Sequence, residues 1–546
     1  MSRPPPAHRV LWPDGTSTPA LPPSGHAHAS LAERLADAGR PLNTRCGRHG
    51  LCAGCTVRLE AGKFLGQDGS LWSAPAEIKA CQGRLAPDGE ATVSVPSRSL
   101  ATHRPQVVTT FKVGVPAADE PLVPVVPDVS DHGLAIDIGT TTVVVSLVDL
   151  RSGTIVREEA SFNRQIELGD DVVTRIQLAG QPGNLAILRD AIVGRTLTPL
   201  IADVCAGADV APHRLAGATI AGNTTMLHLL TGTDPTPMGV VPFRPAFLGH
   251  RVMTAAEIGL PTPPPAMPVH LLPGISAYVG ADLVAGAICT GLNHCADSCL
   301  LVDVGTNGEI LLMHRGRLLA TATAAGPAFE GGRLTRGTRA AAGAVAHVRF
   351  AGDRFIPEID VIPPARSIVG ICGSAYVDFL AQGRRIALLN PAGRISETAW
   401  QAIPDGHRHQ DKEHRGVRLN AREAATLVTE SDIAHLLQAK AAIAAGILAL
   451  LRRAGITPAD VRTLYLAGGF GLHLDVSHAI ASGLLPGFRP DQIDVVGNTA
   501  LGGAWLALID RTVLPEMIAT STNADVVELN LEPGFEDTFI DQLALP

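Results

Sequence analysis

"LAIDIGTTTVVVSLVDL", residues 134–150, is an apolar run broken once, by Asp137 and the turn Gly139-Thr140-Thr141-Thr142. Apolar segments on both sides of such a turn predict a β-hairpin, with Asp137 at the end of its first strand. The pattern returns in "LLVDVGTNGEILLMHRG", residues 300–316, where Asp303 stands for Asp137 and Gly305 for Gly139. One Asp-x-Gly-Thr hairpin is an ordinary structural element. Two in register predict a duplicated fold with two related halves. From residue 131 onward strands alternate with helical patterns, which places the chain in the α/β class.

These turns have a chemical use. Gly139 permits a tight turn whose backbone amides can meet phosphate, and Thr140, Thr141 and Thr142 add hydroxyls. Asp137, at a strand end, is placed to hold a hydrated Mg²⁺ near those phosphates. Asp303, Gly305, Thr306, Asn307 and Gly308 can supply the opposing wall. In "IAGNTTMLHLL", residues 220–230, Asn223 reads as the N-cap of a helix. Two readings stay open there: a capped core helix, or Asn223 and Thr224 facing the cleft with a helix N-terminus directed at phosphate. His228 is expected to pack. No G-x-x-x-x-G-K-[ST] segment is present, so a P-loop is set aside.

With "LYLAGGFG" at 464–471, the two hairpins form a trio. It resembles the phosphate-1, phosphate-2 and adenosine motifs of the superfamily of acetate and sugar kinases, seventy-kilodalton heat-shock chaperones and actin. That resemblance implies ATP in a cleft between two α/β halves, with Gly468, Gly469 and Gly471 lying against the nucleotide.

Residues 1–97 read as a separate small unit of short strands around one helix, "SLAERLADAG", with Ser30 as its N-cap. Its loop "CGRHGLCAGC" spaces Cys46, Cys52 and Cys55 as C-x5-C-x2-C, and Cys81 follows after 25 intervening residues. Four thiolates in a three-plus-one distribution suit a [2Fe–2S] cluster. A zinc ribbon prefers two close pairs, and a redox dithiol leaves Cys46 and Cys81 unexplained. The unit is similar to a β-grasp ferredoxin. The proline-rich residues 98–130 read as a semi-extended linker. Residues 131–206 read as the first part of the ATPase region and 207–546 as its main domain.

Composition narrows the partners. Lys plus Arg number 44 against 52 Asp plus Glu, a net charge of −8, which gives no reason to expect nucleic acid. The longest apolar run, "AAIAAGILALL" at 441–451, is too short to span a bilayer and predicts a buried helix rather than a membrane segment. Nine cysteines without a recognisable secretory signal argue against a disulfide framework and for the cytoplasm. Cys289, Cys295 and Cys299 are expected to be ordinary thiols.

Read end to end, the motifs resemble the reductive activators of corrinoid-dependent methyltransferases. The matching segments include "NRQIELGDDVVTRI", "LLPGISAYVGAD", "AGPAFEGG", "GICGSAYVD" and "VGNTALGGA". Arg48, Ala53 and Gly54 depart from what relatives often carry but spare the four cysteines. The resemblance implies an ATP-hydrolysing iron–sulfur oxidoreductase, with Asp137 and Asp303 orienting Mg²⁺ and the attacking water. It implies one-electron transfer to an inactive Co(II) corrinoid protein, restoring Co(I). It further implies a low-potential electron donor protein and a homodimer. The rival reading is a small-molecule kinase of the actin-like superfamily carrying a redox-sensing ferredoxin domain.

Overall fold

The computed structural model describes residues 8–12, 16–18, 29–42, 44, 55–86, 90–95, 99, 109–115, 117, 120–169, 171–305, 307–350, 355–365, 367–411, 414–469 and 473–546. Cys46, Cys52, Thr306 and Gly471 lie outside the described residues.

Two six-stranded sheets carry the duplication. In the first, strands Thr154–Phe162, Thr142–Asp149 and His132–Ile138 are antiparallel neighbours, and Leu215–Gly222 and Pro268–Leu271 continue in parallel. In the second, Arg317–Thr323, Gly308–His314 and Ser298–Val304 repeat the antiparallel trio, and Val461–Ala467 and Ile493–Gly497 repeat the parallel pair. The strands flanking both turns are Val-, Ile- and Leu-rich and almost wholly buried, as sheets covered on both faces require. One apolar core fills the first half and continues onto one face of the second sheet, joined by the helix Thr499–Ile509, and a second core lies on that sheet's other face. The chain is therefore a multidomain α/β protein with a duplicated, actin-like fold.

Register makes the halves equivalent residue by residue. Asp137 lies beside Ala221 and Asp303 beside Ala467. "IAGN" at 220–223 is thus the counterpart of "LAGG" at 466–469, and both open onto the space between the halves.

The helix Glu430–Ala454 contains the apolar run at 441–451. It is long and apolar enough to cross a membrane, yet 78% of its most apolar window is buried inside the second half. Thr429 caps it through a reciprocal box with Asp432.

The head is a mixed five-stranded sheet, with His8–Leu11 parallel to Ala91–Ser94 and antiparallel to Ser17–Thr18. Its helix Leu31–Asp37 begins at Ser30, whose capping box with Glu33 fixes that end, and buries Leu31, Ala32 and Leu35. The described part of 98–130 is laid against the ATPase: Lys112 N–H donates to Val496, Gly114 N–H to Cys289 and Leu122 N–H to Leu508. Cys295 and Cys299, expected as free thiols, are joined as a disulfide, because the turn between Leu292–His294 and Ser298–Val304 brings them face to face.

Candidate functional site

The cleft between the halves is walled by the two turns. In the first, Gly139 N–H donates to Thr142 O at 2.9 Å, and a side chain at Gly139 would stand 2.8 Å from that carbonyl. The turn is gripped from behind by residues of "NRQIELGDDVVTRI". Asn163 Nδ2 donates to Gly139 O at 3.0 Å, and Arg175 Nη2 to Thr140 O at 2.6 Å. Arg175 is fully buried and also donates to Gly169 O and Gln165 Oε1, both at 2.9 Å. With its carbonyls held there, the turn presents its hydroxyls to the cleft. Arg175→Lys keeps the charge but loses the planar fork, leaving buried carbonyls unmet. It is expected to cost about 2 kcal/mol of stability and to raise the KM for ATP more than it lowers kcat, as read by denaturation and steady-state ATPase assays.

The opposing turn places Asp303, Gly305 and Asn307 on the far wall, with Gly305 N–H donating to Asn307 O at 3.0 Å. Gly468 sits at φ +100, and any Cβ there would come within 2.6 Å of Asp303 Oδ1. Only glycine fits this approach.

The structure brings Asp137, Gly139, Thr140, Thr141, Thr142, Asn223, Asp303, Gly305, Asn307, Gly468 and Gly469 around this one cavity. Asn223 caps the helix and also lines the cavity: Oδ1 accepts from Met226 N–H, and Nδ2 donates to Thr140 Oγ1 at 2.9 Å. Thr224 and Gly308 do not line the cavity. The Thr224 hydroxyl donates to Ser276 O, and Gly308 packs on Thr323 and Ile443. His228 packs as expected, buried and stacked on Phe247, with Nε2 accepting from Ala246 N–H.

Sequence reasoning missed several cavity residues: Asp282, Glu309, Glu330, Arg339 and Asn498. Glu330 and Arg339 reach across to Thr141, whose hydroxyl donates to Glu330 Oε2 at 2.8 Å and accepts from Arg339 Nη2 at 3.0 Å. Asn498 Nδ2 donates to Asp137 Oδ2 at 2.9 Å. Asp282 and Glu309 stood inside quoted motifs, "YVGAD" and "TNGE"; the signal was an acid beside glycine at a strand or helix end.

Burial pushes Asp137 up to about 7, and the charge of Asp282 adds to it. Burial likewise lifts Asp303 to about 7, reinforced by Asp282, Asp137 and Glu330, and Asp282 to about 6. Glu309 is held well above the usual carboxylate range by burial and by the charges of Asp282 and Asp303. Among the described residues no three His, Cys, Asp or Glu side chains stand close enough to hold a metal ion by themselves; Asp137 and Asp303 are the carboxylates that a cation shared with a bound anion would ionise.

In the head, strand Thr56–Ala61 pairs with Ala76–Lys79 so that Thr56 faces Lys79, and Ala80 N–H donates to Cys55 O at 3.1 Å. Cys55 and Cys81 therefore flank one end of the same strand pair, both buried, and Gln82 Nε2 donates to Cys81 Sγ at 3.3 Å. Paired buried sulfurs with an N–H donor fit a cluster cradle.

The family model for the RACo middle region matches residues 132–295, and that for the C-terminal, ASKHA-type domain of RACo matches residues 297–546. The corrinoid activation enzyme RamQ of Eubacterium limosum is 32% identical over 421 residues, covering 75% of this chain and 69% of that protein. The chain belongs to the RACo family. A second relative is the [Co(II) methylated amine-specific corrinoid protein] reductase of Methanosarcina barkeri. It is 23% identical over 442 residues, 76% of this chain and 77% of that protein. The solved structure of a reductive activator for corrinoid, iron-sulfur protein superposes with a TM-score of 0.71 at 28% identity, covering 99% of this chain and 98% of that one. The boundary between the two RACo models falls beside the Cys295–Cys299 bridge, where the first sheet's half ends and the second begins.

Proposed function

We propose that this RACo-family chain is an ATP-dependent reductive activator that delivers one electron to the inactive Co(II) corrinoid of a methyltransferase system, restoring Co(I). The observation that carries the nucleotide half is the meeting of both hairpins, with carboxylates from both halves, around one cavity. The redox half rests on family membership and on the four cysteines of the head.

Cys46, Cys52, Cys55 and Cys81 would hold a [2Fe–2S] cluster, which supplies one electron per cycle when bound. The hairpin hydroxyls of Thr140 and Thr141 hold the phosphates from one wall, and Asn307 and the backbone around Gly305 from the other. Asp137 and Asp303 orient Mg²⁺ and the attacking water, with Asn498 fixing the Asp137 carboxylate. Gly468 and Gly469, and by resemblance Gly471, let the nucleotide lie close to the backbone. Plant-type [2Fe–2S] potentials lie at about −400 mV, and each ~59 mV uphill costs a one-electron transfer about tenfold. Co(II) to Co(I) needs a stronger reductant than that, and nucleotide-driven closure or docking would offset the deficit. A low-potential electron donor protein, a homodimeric state and a cytoplasmic location belong to the same reading.

The test is anaerobic. Reduced protein, MgATP and a Co(II) corrinoid protein are mixed, and the Co(I) absorption band is followed. The band is expected with MgATP and absent without it. No band across several corrinoid partners, alongside phosphorylation of a metabolite, favours the kinase reading.

A further inference from the structure

One loop of the second half touches all three parts of the molecule. "EGGRLTRGTR", residues 330–339, carries arginines at every third position: Arg333 and Arg336 each meet an acid of another part of the molecule, and Arg339 meets Glu330 of the loop itself. Arg339, beside Glu330, reaches Thr141 in the first hairpin, inside the nucleotide cleft. Arg333 Nη2 lies 3.4 Å from Asp171 Oδ2 in the first half. Asp171 caps the helix Val172–Ala179, which carries the Arg175 that grips the same hairpin. Arg336 Nη2 lies 2.7 Å from Glu77 Oε2 in the head. Glu77 belongs to strand Ala76–Lys79, which runs directly into the turn bearing Cys81.

The loop is built as a unit rather than a flexible strap. Its two ends close on each other: a side chain at Gly337 would stand 2.2 Å from Gly331 O, and one at Gly331 2.4 Å from Thr338 N. Leu334 plugs the second core, and Thr335 N–H donates to Asp432 Oδ1 at 2.6 Å on the long helix. Thr338 N–H donates to Ile371 O, and Arg336 O accepts from Ile371 N–H. A segment pinned in this way shifts as one body when either end is moved.

We infer that the loop 330–339 couples the nucleotide cleft to the cluster-bearing head, with Arg336–Glu77 as the contact through which nucleotide state changes how the head is held. This rests on the cleft being a nucleotide site, as proposed above. Phosphate oxygens arriving beside Thr141 compete with Glu330 for its hydroxyl, attract Arg339 and repel the Glu330 carboxylate. Those are the groups at the loop's two ends, so the displacement passes to Arg336 and weakens its grip on Glu77. Arg336 is mostly buried and Glu77 only half-exposed, so opening the contact leaves the guanidinium without this partner and the pair responds to small changes at the loop.

The test uses the full chain with its cluster assembled, carrying R336K. A carbodiimide joins a lysine amine to a carboxylate it already touches, so the Lys-to-Glu77 amide between positions 336 and 77 reports the contact by mass spectrometry. The link is expected without nucleotide, to fall about fivefold or more with Mg²⁺ and a non-hydrolysable ATP analogue, and to vanish in R336K/E77Q. The reversed pair R336E/E77K, linked in the opposite sense, is expected to repeat the nucleotide response if R336K folds poorly. Analogue binding is measured in parallel by calorimetry. Binding with an unchanged link, or no link in either variant, overturns the coupling alone. No binding overturns the nucleotide reading and the coupling with it.

Discussion

Cys81→Ser in the full chain is expected to strip the visible absorption of the cluster and to lower Co(I) formation by at least about 100-fold, while ATP hydrolysis persists. The reason is local. Cys81 is buried on the turn Ala80–Gln82, directly after the strand that pairs with the segment leaving Cys55. No other thiol among the described residues of the head stands beside Cys55, since Cys205, Cys289 and Cys372 belong to the ATPase halves. Serine keeps the shape but offers a harder, far less acidic donor, which suits iron–sulfur chemistry poorly. Iron content, visible absorption and the electron spin resonance of the reduced protein check the ligand, and the anaerobic Co(I) assay checks delivery. A normal spectrum and normal Co(I) formation in Cys81→Ser would falsify the ligand assignment. Loss of ATP hydrolysis together with the cluster would mean that the head acts on the cleft more directly than through one loop.

The parts of the molecule legible in the sequence were those that a local pattern announces. The twin hairpins showed because duplication repeats a short motif, Asp-x-Gly between two apolar strands, whose chemistry is local to the turn. "LAGG" showed because glycine at a strand end has few other uses. Its partner "IAGN" does not announce the equivalence, since Asn at 223 hides the glycine pair, and only strand register sets Ala221 against Asp137 as Ala467 is set against Asp303. Glu330 and Arg339 were invisible for a different reason. Glu330 reaches a threonine 189 positions away, and Asn498 reaches Asp137 across 361. No spacing rule connects residues joined only when two halves close on each other. The run "NRQIELGDDVVTRI" is recognisable as a motif, yet its purpose, a buried arginine holding up a cleft-facing turn, needs the fold. The disulfide between Cys295 and Cys299 escaped because composition speaks for the whole chain and not for one turn.

Asp303→Asn is expected to lower ATP hydrolysis by about 10²–10³-fold and, in Mg²⁺-free buffer near neutral pH, to make the bare protein more stable. Both effects follow from the same crowding. Asp303 shares its cavity with Asp137, Asp282, Glu309 and Glu330, and burial together with these neighbours lifts it from 3.8 to about 7. Between those two values the folded carboxyl keeps a proton that the unfolded chain has released. Stability therefore falls as pH rises from about 4 to about 7 and stays low above that. Asparagine removes the penalty, and a gain of order 1 kcal/mol at pH 7.5 is expected once the solvation of a partly open cleft is allowed for. Mg²⁺ inverts the comparison, because a dication lets the wild-type carboxylates ionise together and stabilises them, while the asparagine variant gains less. Thermal melts at pH 5.5 and 7.5, with and without Mg²⁺, separate the cases: the wild type gains more from Mg²⁺ at the higher pH, and the variant shows a shallower pH slope, because Asp137, Asp282 and Glu309 still carry raised values. A buried carboxylate kept for packing alone would show the pH slope without the Mg²⁺ inversion. An Asp303→Asn protein that turned over ATP normally while showing both would assign the metal to this cluster and the positioning of water to its neighbour Asp137.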